Sequence, residues 1–328
     1  MAELRADTDE RRPPPGGAGQ CAQAVLMVRP AAFGWNPATA ASNRFQHAAA
    51  AEPGAIARAA REEFDGAVAA LSQAGLRVHV FDDPPEPPCP DAVFPNNWVS
   101  FHDDGTVVIY PMLAANRRRE RRLGLLPLLE RQGPYAVRRV VDLTHYEAQG
   151  RFLEGTGSLV LDRVDRMAYA CLSPRTDREP LAEFCEQCGY EPFTFSATDA
   201  AGVPVYHTNV VLSLGRNLAI LAAEAVAGPD RERLLERLAA RGREVITIDR
   251  DQAAGFAANV LELRAASGAS VLALSTRALE SLGALARERI ATRVDRLVPI
   301  PIPTIESVGG GSVRCMLAEV FLPRKEAM

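Results

Sequence analysis

The chain has 328 residues, 47% hydrophobic and 24% charged, with a formal net charge of -4. That describes an ordinary globular chain able to bury a sizeable core, and its acidic balance gives no footing for nucleic acid. No apolar run reaches the roughly 18 residues of a spanning helix, and six scattered cysteines without framework spacing point to a reducing cytoplasm.

Residues 1–21 are polar and rich in Pro and Gly, and read as a disordered tail rather than a signal peptide. An apolar strand near VLMVRP follows, and then a segment of low polarity, Ala31 to Ala51, placed to fold over a cleft as a lid. Ile56, Ala60, Phe64, Val68 and Leu71 recur at helical spacing and predict a helix over 54–74. After the strand RVHVF, the proline run Pro84 to Pro90 reads as a stiff connector delivering Asp91. From about residue 90 a unit of about 50 to 60 residues repeats: apolar strand, polar turn, second strand, amphipathic helix, short strand. The helices are predicted over 116–131 and near 177–188, 229–241 and 276–289, and DDG, RVDR, GRN and ASGAS supply the hairpin turns. The strand SVRCMLAEVFL near the C-terminus lacks a following helix, so it must close against VLMVRP.

A repeat split between the two ends implies a closed ring. The expected fold is therefore α/β, with five ββαβ modules around a pseudo-fivefold axis and the helices outside, and residues 22–328 form a single catalytic domain. In such a ring the starts of the first strands converge. They read Phe94-Pro95-Asn96-Asn97-Trp98, Glu154-Gly155-Thr156-Gly157, His207-Thr208-Asn209, Ala258-Asn259-Val260 and Arg314-Cys315, polar where the pattern turns apolar. Cys315 follows Gly309-Gly310-Gly311, a loop whose backbone can approach a ligand closely, and reads as a nucleophile at the start of a strand.

The set FPNNW, EGTGS, YHTN, AANVL and GGGSVRC, spread over about residues 22–323, resembles the guanidino-group-modifying (pentein) superfamily, whose fold is a pentein α/β-propeller. Within it the chain is most similar to the bacterial citrulline-utilisation hydrolases, citrulline ureidases often described as amidinotransferases. The resemblance implies Cys315 as nucleophile, His207 as general acid and base, and Glu154 as the carboxylate that holds a substrate nitrogen and supports the histidine. The family's Asp-x-x-Phe-x-Glu-Asp grip on a guanidinium reads Asp91-Ala92-Val93-Phe94-Pro95-Asn96-Asn97 here, and its His-x-Asp reads His207-Thr208-Asn209. Leu172-Ser173-Pro174-Arg175-Thr176 matches Leu-Ser-x-Arg-Thr, which gives Arg175 the substrate carboxylate.

Three acids of the family pattern are thus amides. A guanidinium offers only donors and calls for carboxylates, whereas a ureido group is neutral and its carbonyl needs a donor; Asn96, Asn97 and Asn209 each supply both a donor and an acceptor. The expected reaction is hydrolysis of L-citrulline to L-ornithine, ammonia and carbon dioxide through a covalent Cys315 adduct. Arginine deiminase, dimethylarginine dimethylaminohydrolase or amidinotransferase activity is the alternative, and a non-catalytic scaffold the second. No cofactor and no metal are expected, since Cys185-Glu-Gln-Cys188 stands alone without a second ligand pair. The expected partner is a small ureido or guanidino amino acid, with no nucleic acid and no membrane; a homo-oligomer is left open. The run Arg117 to Arg122 reads as a solvated helix face, with Arg117 and Arg118 retained as minor candidates for holding substrate.

Overall fold

The structure, a computed structural model, describes residues 19–48, 51–133 and 135–325, so that of the expected tail only Gly19, Gln20 and Cys21 are included. In chain order come β1 (Ala24–Arg29), α1 (Pro37–Ala40), α2 (Pro53–Gln73) and β2 (Arg77–Asp82). Next are β3 (Val99–Phe101), β4 (Thr106–Ile109), α3 (Leu125–Gln132) and β5 (Arg139–Asp142), followed by α4 (Gly155–Ser158), β6 (Leu159–Asp162), β7 (Met167–Cys171), α5 (Arg178–Cys188) and β8 (Glu191–Phe195). Then follow β9 (Leu212–Leu214), β10 (Leu218–Leu221), α6 (Gly228–Ala239), β11 (Glu244–Thr247), α7 (Arg250–Ala254), β12 (Leu261–Arg264), β13 (Ser270–Ser275), α8 (Thr276–Ser281), α9 (Ala284–Ala291), β14 (Arg296–Ile300) and β15 (Ala318–Glu319).

These strands make five three-stranded sheets with one shared plan. A hairpin pairs the first two strands antiparallel, as Val99 opposite Ile109, and the third strand returns parallel, as Val107 beside Val140. A parallel return needs a crossover, and the helix provides it. The split module obeys the same rule: β15 lies antiparallel to β1, with Glu319 opposite Val25, and β2 lies parallel to β1. The hairpin turn at Asp103-Asp104-Gly105 illustrates the local chemistry, with Gly105 at φ 88° and Asp104 Oδ1 accepting from Thr106 N at 2.8 Å. First strands of neighbouring modules touch, β15 with β3, β6 with β9 and β9 with β12, while α4 before β6 meets β3 and the turn before β15 meets β13, so the five sheets follow one another in the ring read from the repeat.

The middle strands β4, β7 and β10 are buried along their whole length, and so carry continuous apolar runs rather than alternation. Helix α2 turns Ile56, Ala60, Phe64 and Leu71 inward as their spacing predicts, with Ala67 buried where Val68 was expected and Val68 half-buried beside it. Three expectations are corrected. The helix predicted over 116–131 is a 3-10 turn, Arg117–Glu120, separated by Gly124 from α3; the one predicted near 276–289 breaks at Leu282-Gly283 into α8 and α9. Cys315 is not in a strand but in the 3-10 turn Val313–Met316 that precedes β15. Among the described residues no helix is long and apolar enough to cross a membrane.

Candidate active site

Each module enters its first strand through one tight turn, and those turns carry the polar residues. Asn96 and Asn97 lie in the turn Pro95–Asn97 before β3, Glu154 caps α4 before β6, His207 caps the turn Thr208–Val210 before β9, and Asn259 lies two residues before β12 begins at Leu261. Helix α4 packs against the first and third of these turns, and the Cys315 turn packs against the first. Asn96, Asn97, Glu154, His207, Asn209, Asn259 and Cys315 are each at most 4% exposed. The glycines of Glu154-Gly155-Thr156-Gly157 permit this crowding: a Cβ on Gly157 would fall 2.6 Å from Asn97 Nδ2 and 2.7 Å from His207 Nδ1. Gly157→Ala is therefore expected to push the imidazole and the amide apart and to cut turnover by about 10²-fold. Steady-state kinetics on the folded variant checks this, and an unchanged kcat would mean that both side chains yield freely.

Glu154 is the electrostatic hub. Its Oε2 accepts from His207 Nε2 at 2.9 Å and from Arg175 Nη1 at 3.2 Å, and Oε1 accepts from Leu113 N at 3.0 Å. Burial works to raise its pKa, but Arg175, His207 and Arg117 outweigh burial and hold the carboxyl well below the usual carboxylate range. For His207 burial wins over the pull of Glu154 and lowers the pKa to about 4. A neutral imidazole beside an ionised carboxylate must donate through Nε2, which leaves Nδ1 as the basic nitrogen. Cys315 Sγ lies 3.4 Å from Asn259 Nδ2 and 3.6 Å from Asn209 Nδ2. Burial pushes its thiol up, with Asn259 and Arg314 opposing, so the resting group is a thiol flanked by donors that favour the thiolate.

Around this trio sits a second layer of charge. Asp91 Oδ2 accepts from Asn36 Nδ2 at 2.7 Å and lies 3.5 Å from Arg117 Nε, while its Oδ1 is buried without a partner. Arg117 is bidentate on Glu120 at 2.8 and 2.9 Å and donates to Asn97 Oδ1 at 3.0 Å. Burial pushes Glu120 up to about 7 despite that pair. Arg175 donates to Ser42 Oγ at 2.7 Å through Nη2 and at 3.2 Å through Nε. The segment holding Asn36, Thr39 and Ser42 is latched over the site, with Asn43 Nδ2 donating to Gly310 O at 3.2 Å and Gln46 Nε2 to Gly309 O at 3.1 Å. The cavity left between this segment and Cys315 is about 20 Å³, room for one water.

A cysteine, a neutral histidine and an ionised glutamate meeting at the mouth of a five-module ring call for comparison with known proteins. Residues 29–322 match the family described as N,N dimethylarginine dimethylhydrolase, eukaryotic. The chain belongs to that family. As a dimethylarginine dimethylhydrolase relative it falls in the pentein guanidino-modifying superfamily and is homologous to hydrolases acting on guanidino C–N bonds. Its fold is shared with the N-terminal domain of ArgZ carrying a covalent reaction intermediate, at 16% identity and TM-score 0.70 over 92% of this chain and 99% of that one. It is shared too with AgrE in complex with L-arginine, at 16% identity and TM-score 0.71 over 93% of this chain and 41% of that one. A third structure, a dimethylarginine dimethylaminohydrolase adduct with S-methyl-L-thiocitrulline, aligns at 17% identity and TM-score 0.61 over 90% and 99% of the two chains. This chain spans 41% of full-length ArgZ, which is described as an arginine dihydrolase from the ornithine-ammonia cycle in cyanobacteria. No curated protein matches it.

The cavity of this dimethylhydrolase-family chain is lined by Cys315, His207, Asp91, Asn97 and Arg175 from the expected set, with Glu154 immediately behind them. Three expectations change. Asn209, expected at the substrate head group, instead donates to Cys315 Sγ and to Thr156 O at 3.3 Å, and Asn96 is wholly buried off the cavity with both amide atoms unpartnered. The arginine run is not a solvated face: Arg117 is 3% exposed and lines the cavity, because three carboxylates stand within 4.0 Å of it. Arg118 turns away, its Nε donating to Met112 O at 3.0 Å. The sequence reading missed Asn36, Thr39 and Ser42 as site residues. Asn36-Pro37 is an N-cap signature with Pro at the first helical position, and it could have located α1 over the site.

Proposed function

We propose that this protein is a cysteine-dependent hydrolase of a ureido amino acid, L-citrulline, yielding L-ornithine, ammonia and carbon dioxide, with residues 22–328 acting as one catalytic unit. The observation that carries this reading is Asn97: its Nδ2 is a buried, unpartnered donor beside His207 Nδ1, while its Oδ1 is held by Arg117. A ureido oxygen needs such a donor, whereas a guanidinium would meet an NH2 group and the Arg117 cation.

In the reaction His207 Nδ1 takes the Cys315 proton as Sγ bonds to the ureido carbon, and the same proton passes to the departing nitrogen as the C–N bond breaks. Water then gives a proton to Nδ1 and attacks the adduct, the S–C bond breaks to restore the thiol, and the carbamic acid so released loses its remaining nitrogen as its C–N bond breaks to give carbon dioxide. Overall, citrulline and one water give ornithine, ammonia and carbon dioxide. Asn97 and Asp91 orient the head group, and Arg175 exchanges Ser42 for the substrate carboxylate. A guanidino substrate is the second reading, and the family match favours it.

The test is a panel of L-citrulline, L-arginine, N-methylated arginines and agmatine. Ornithine and ammonia from citrulline are expected; turnover of a guanidine with citrulline untouched would overturn the reading. Because His207 is held neutral down to about pH 4, kcat/KM for citrulline is expected to stay level between about pH 5 and 8. An acid limb near 6.5 would mean that the imidazole is solvated and its proton free to move between nitrogens.

A further inference from the structure

The end of the ring opposite Cys315 holds a second cavity, about 520 Å³ in volume, within the span of small-molecule sites. It is built from turns at the far ends of strands whose near ends carry the catalytic groups: Val164 after β6, Arg216 and Asn217 between β9 and β10, Arg241 and Arg243 before β11, and Arg264 at the end of β12. Among the described residues, four arginines line it and no Asp or Glu does.

Their charges are only partly answered. Arg241 pairs with Asp165, and Arg243 Nη2 lies 2.7 Å from Asp162 Oδ2. The Arg243 side chain is 2% exposed, yet its Nε and Nη1 have no hydrogen-bond partner. Arg216 engages Glu262 only through its backbone N–H, at 2.9 Å, and neither its guanidinium nor that of Arg264 is paired among the described residues. Glu319, the other nearby acid, is taken up by Arg314 at 3.2 Å and faces Arg163 at 3.9 Å. Two aspartates thus offset two of the four lining cations, and the Glu262 carboxylate, which accepts from Arg216 N and from Ser270 Oγ and faces Cys21 in the lining, offsets part of a third. The remainder is a concave surface with a net excess of about one positive charge on a chain whose overall charge is -4, a shape that focuses potential on an anion.

We propose that this cavity binds a small dianionic metabolite, a phosphate ester or a polycarboxylate, gripped by Arg216 and Arg264 over a floor formed by Arg243. Guanidinium forks match the paired oxygens of either group. The site is remote from the Cys315 cavity and does not depend on which reaction occurs there.

The test is calorimetric titration of the full chain with ribose 5-phosphate, pyrophosphate and citrate, beside the double variant Arg216→Ala/Arg264→Ala, whose fold is checked by circular dichroism. One-site binding below about 1 mM by at least one probe, weakened at least about tenfold in the double variant and falling with added salt, is expected. Phosphate-bearing probes binding in preference to citrate would assign the ligand to phosphate esters, and the reverse to polycarboxylates. No binding by any probe, or equal binding by the double variant, overturns the proposal.

Discussion

Cys315→Ala is expected to lose citrulline turnover by about 10⁴-fold or more, the scale on which removing a covalent nucleophile acts. No other thiol can take its place. Cys21, Cys89, Cys171, Cys185 and Cys188 are all free, but none lines the cavity, and burial raises every one of them, Cys89 to about 11 and Cys171, Cys185 and Cys188 to about 12. The variant keeps Asp91, Arg117 and Arg175, so citrulline should still bind and dissociate unchanged. Ornithine release measured beside equilibrium binding separates the two effects. Residual activity above about 1% of the parent would require a mechanism in which water attacks directly, and would sink the covalent route.

Glu154→Gln should be costly twice over. The carboxylate answers Arg175 at 3.2 Å and stands 4.0 Å from Arg117, both cations being buried, and removing one partner of a buried ion pair typically costs about 3–5 kcal/mol. The amide also presents an NH2 group that His207 Nε2 can accept from, which moves the ring proton to Nδ1 and removes the base. Loss of the correct tautomer is worth about 10⁴-fold in a comparable triad. The pH dependence follows in sign. A carboxyl held below its ordinary value stabilises the fold at neutral pH, and that contribution fades as pH drops below about 4.3 toward the folded value. Urea unfolding should therefore separate parent and variant at pH 7 and bring them together in acid. A variant with parental stability and less than a tenfold loss of turnover would show that Glu154 supports neither function.

The ring was legible because each module repeats both its periodicity and its turn chemistry, and because the strand after Cys315 and the strand–helix–strand that begins near residue 24 complete one another as a module. Cys315, His207 and Glu154 were legible as polar breaks at equivalent points of that repeat. The role of Arg117 was not: a run of six residues with five arginines looks solvated at the level of local sequence, and only the fold brings Asp91, Glu120 and Glu154 to one of them. Asn209 was placed near the site but with a different partner, since its motif says where the backbone goes and its side chain is held by Thr156 O and the Cys315 thiol. The segment over the cavity was recognised by position alone, because its hydrogen bonds run to Gly309 and Gly310, more than two hundred residues away.

The pairing of β15 with β1 fixes when, as well as where, the thiol becomes useful. During synthesis β1 and the three modules containing β3 to β11 emerge first and can fold as an open arc, and the turn bearing Cys315 leaves the ribosome only after them. Until it docks, β1 keeps an unpaired edge, and Glu154 and His207 face a gap with no nucleophile. On the proposed chemistry, a chain that stops before residue 315 holds the base and its carboxylate but no nucleophile, and is inert rather than weakly active.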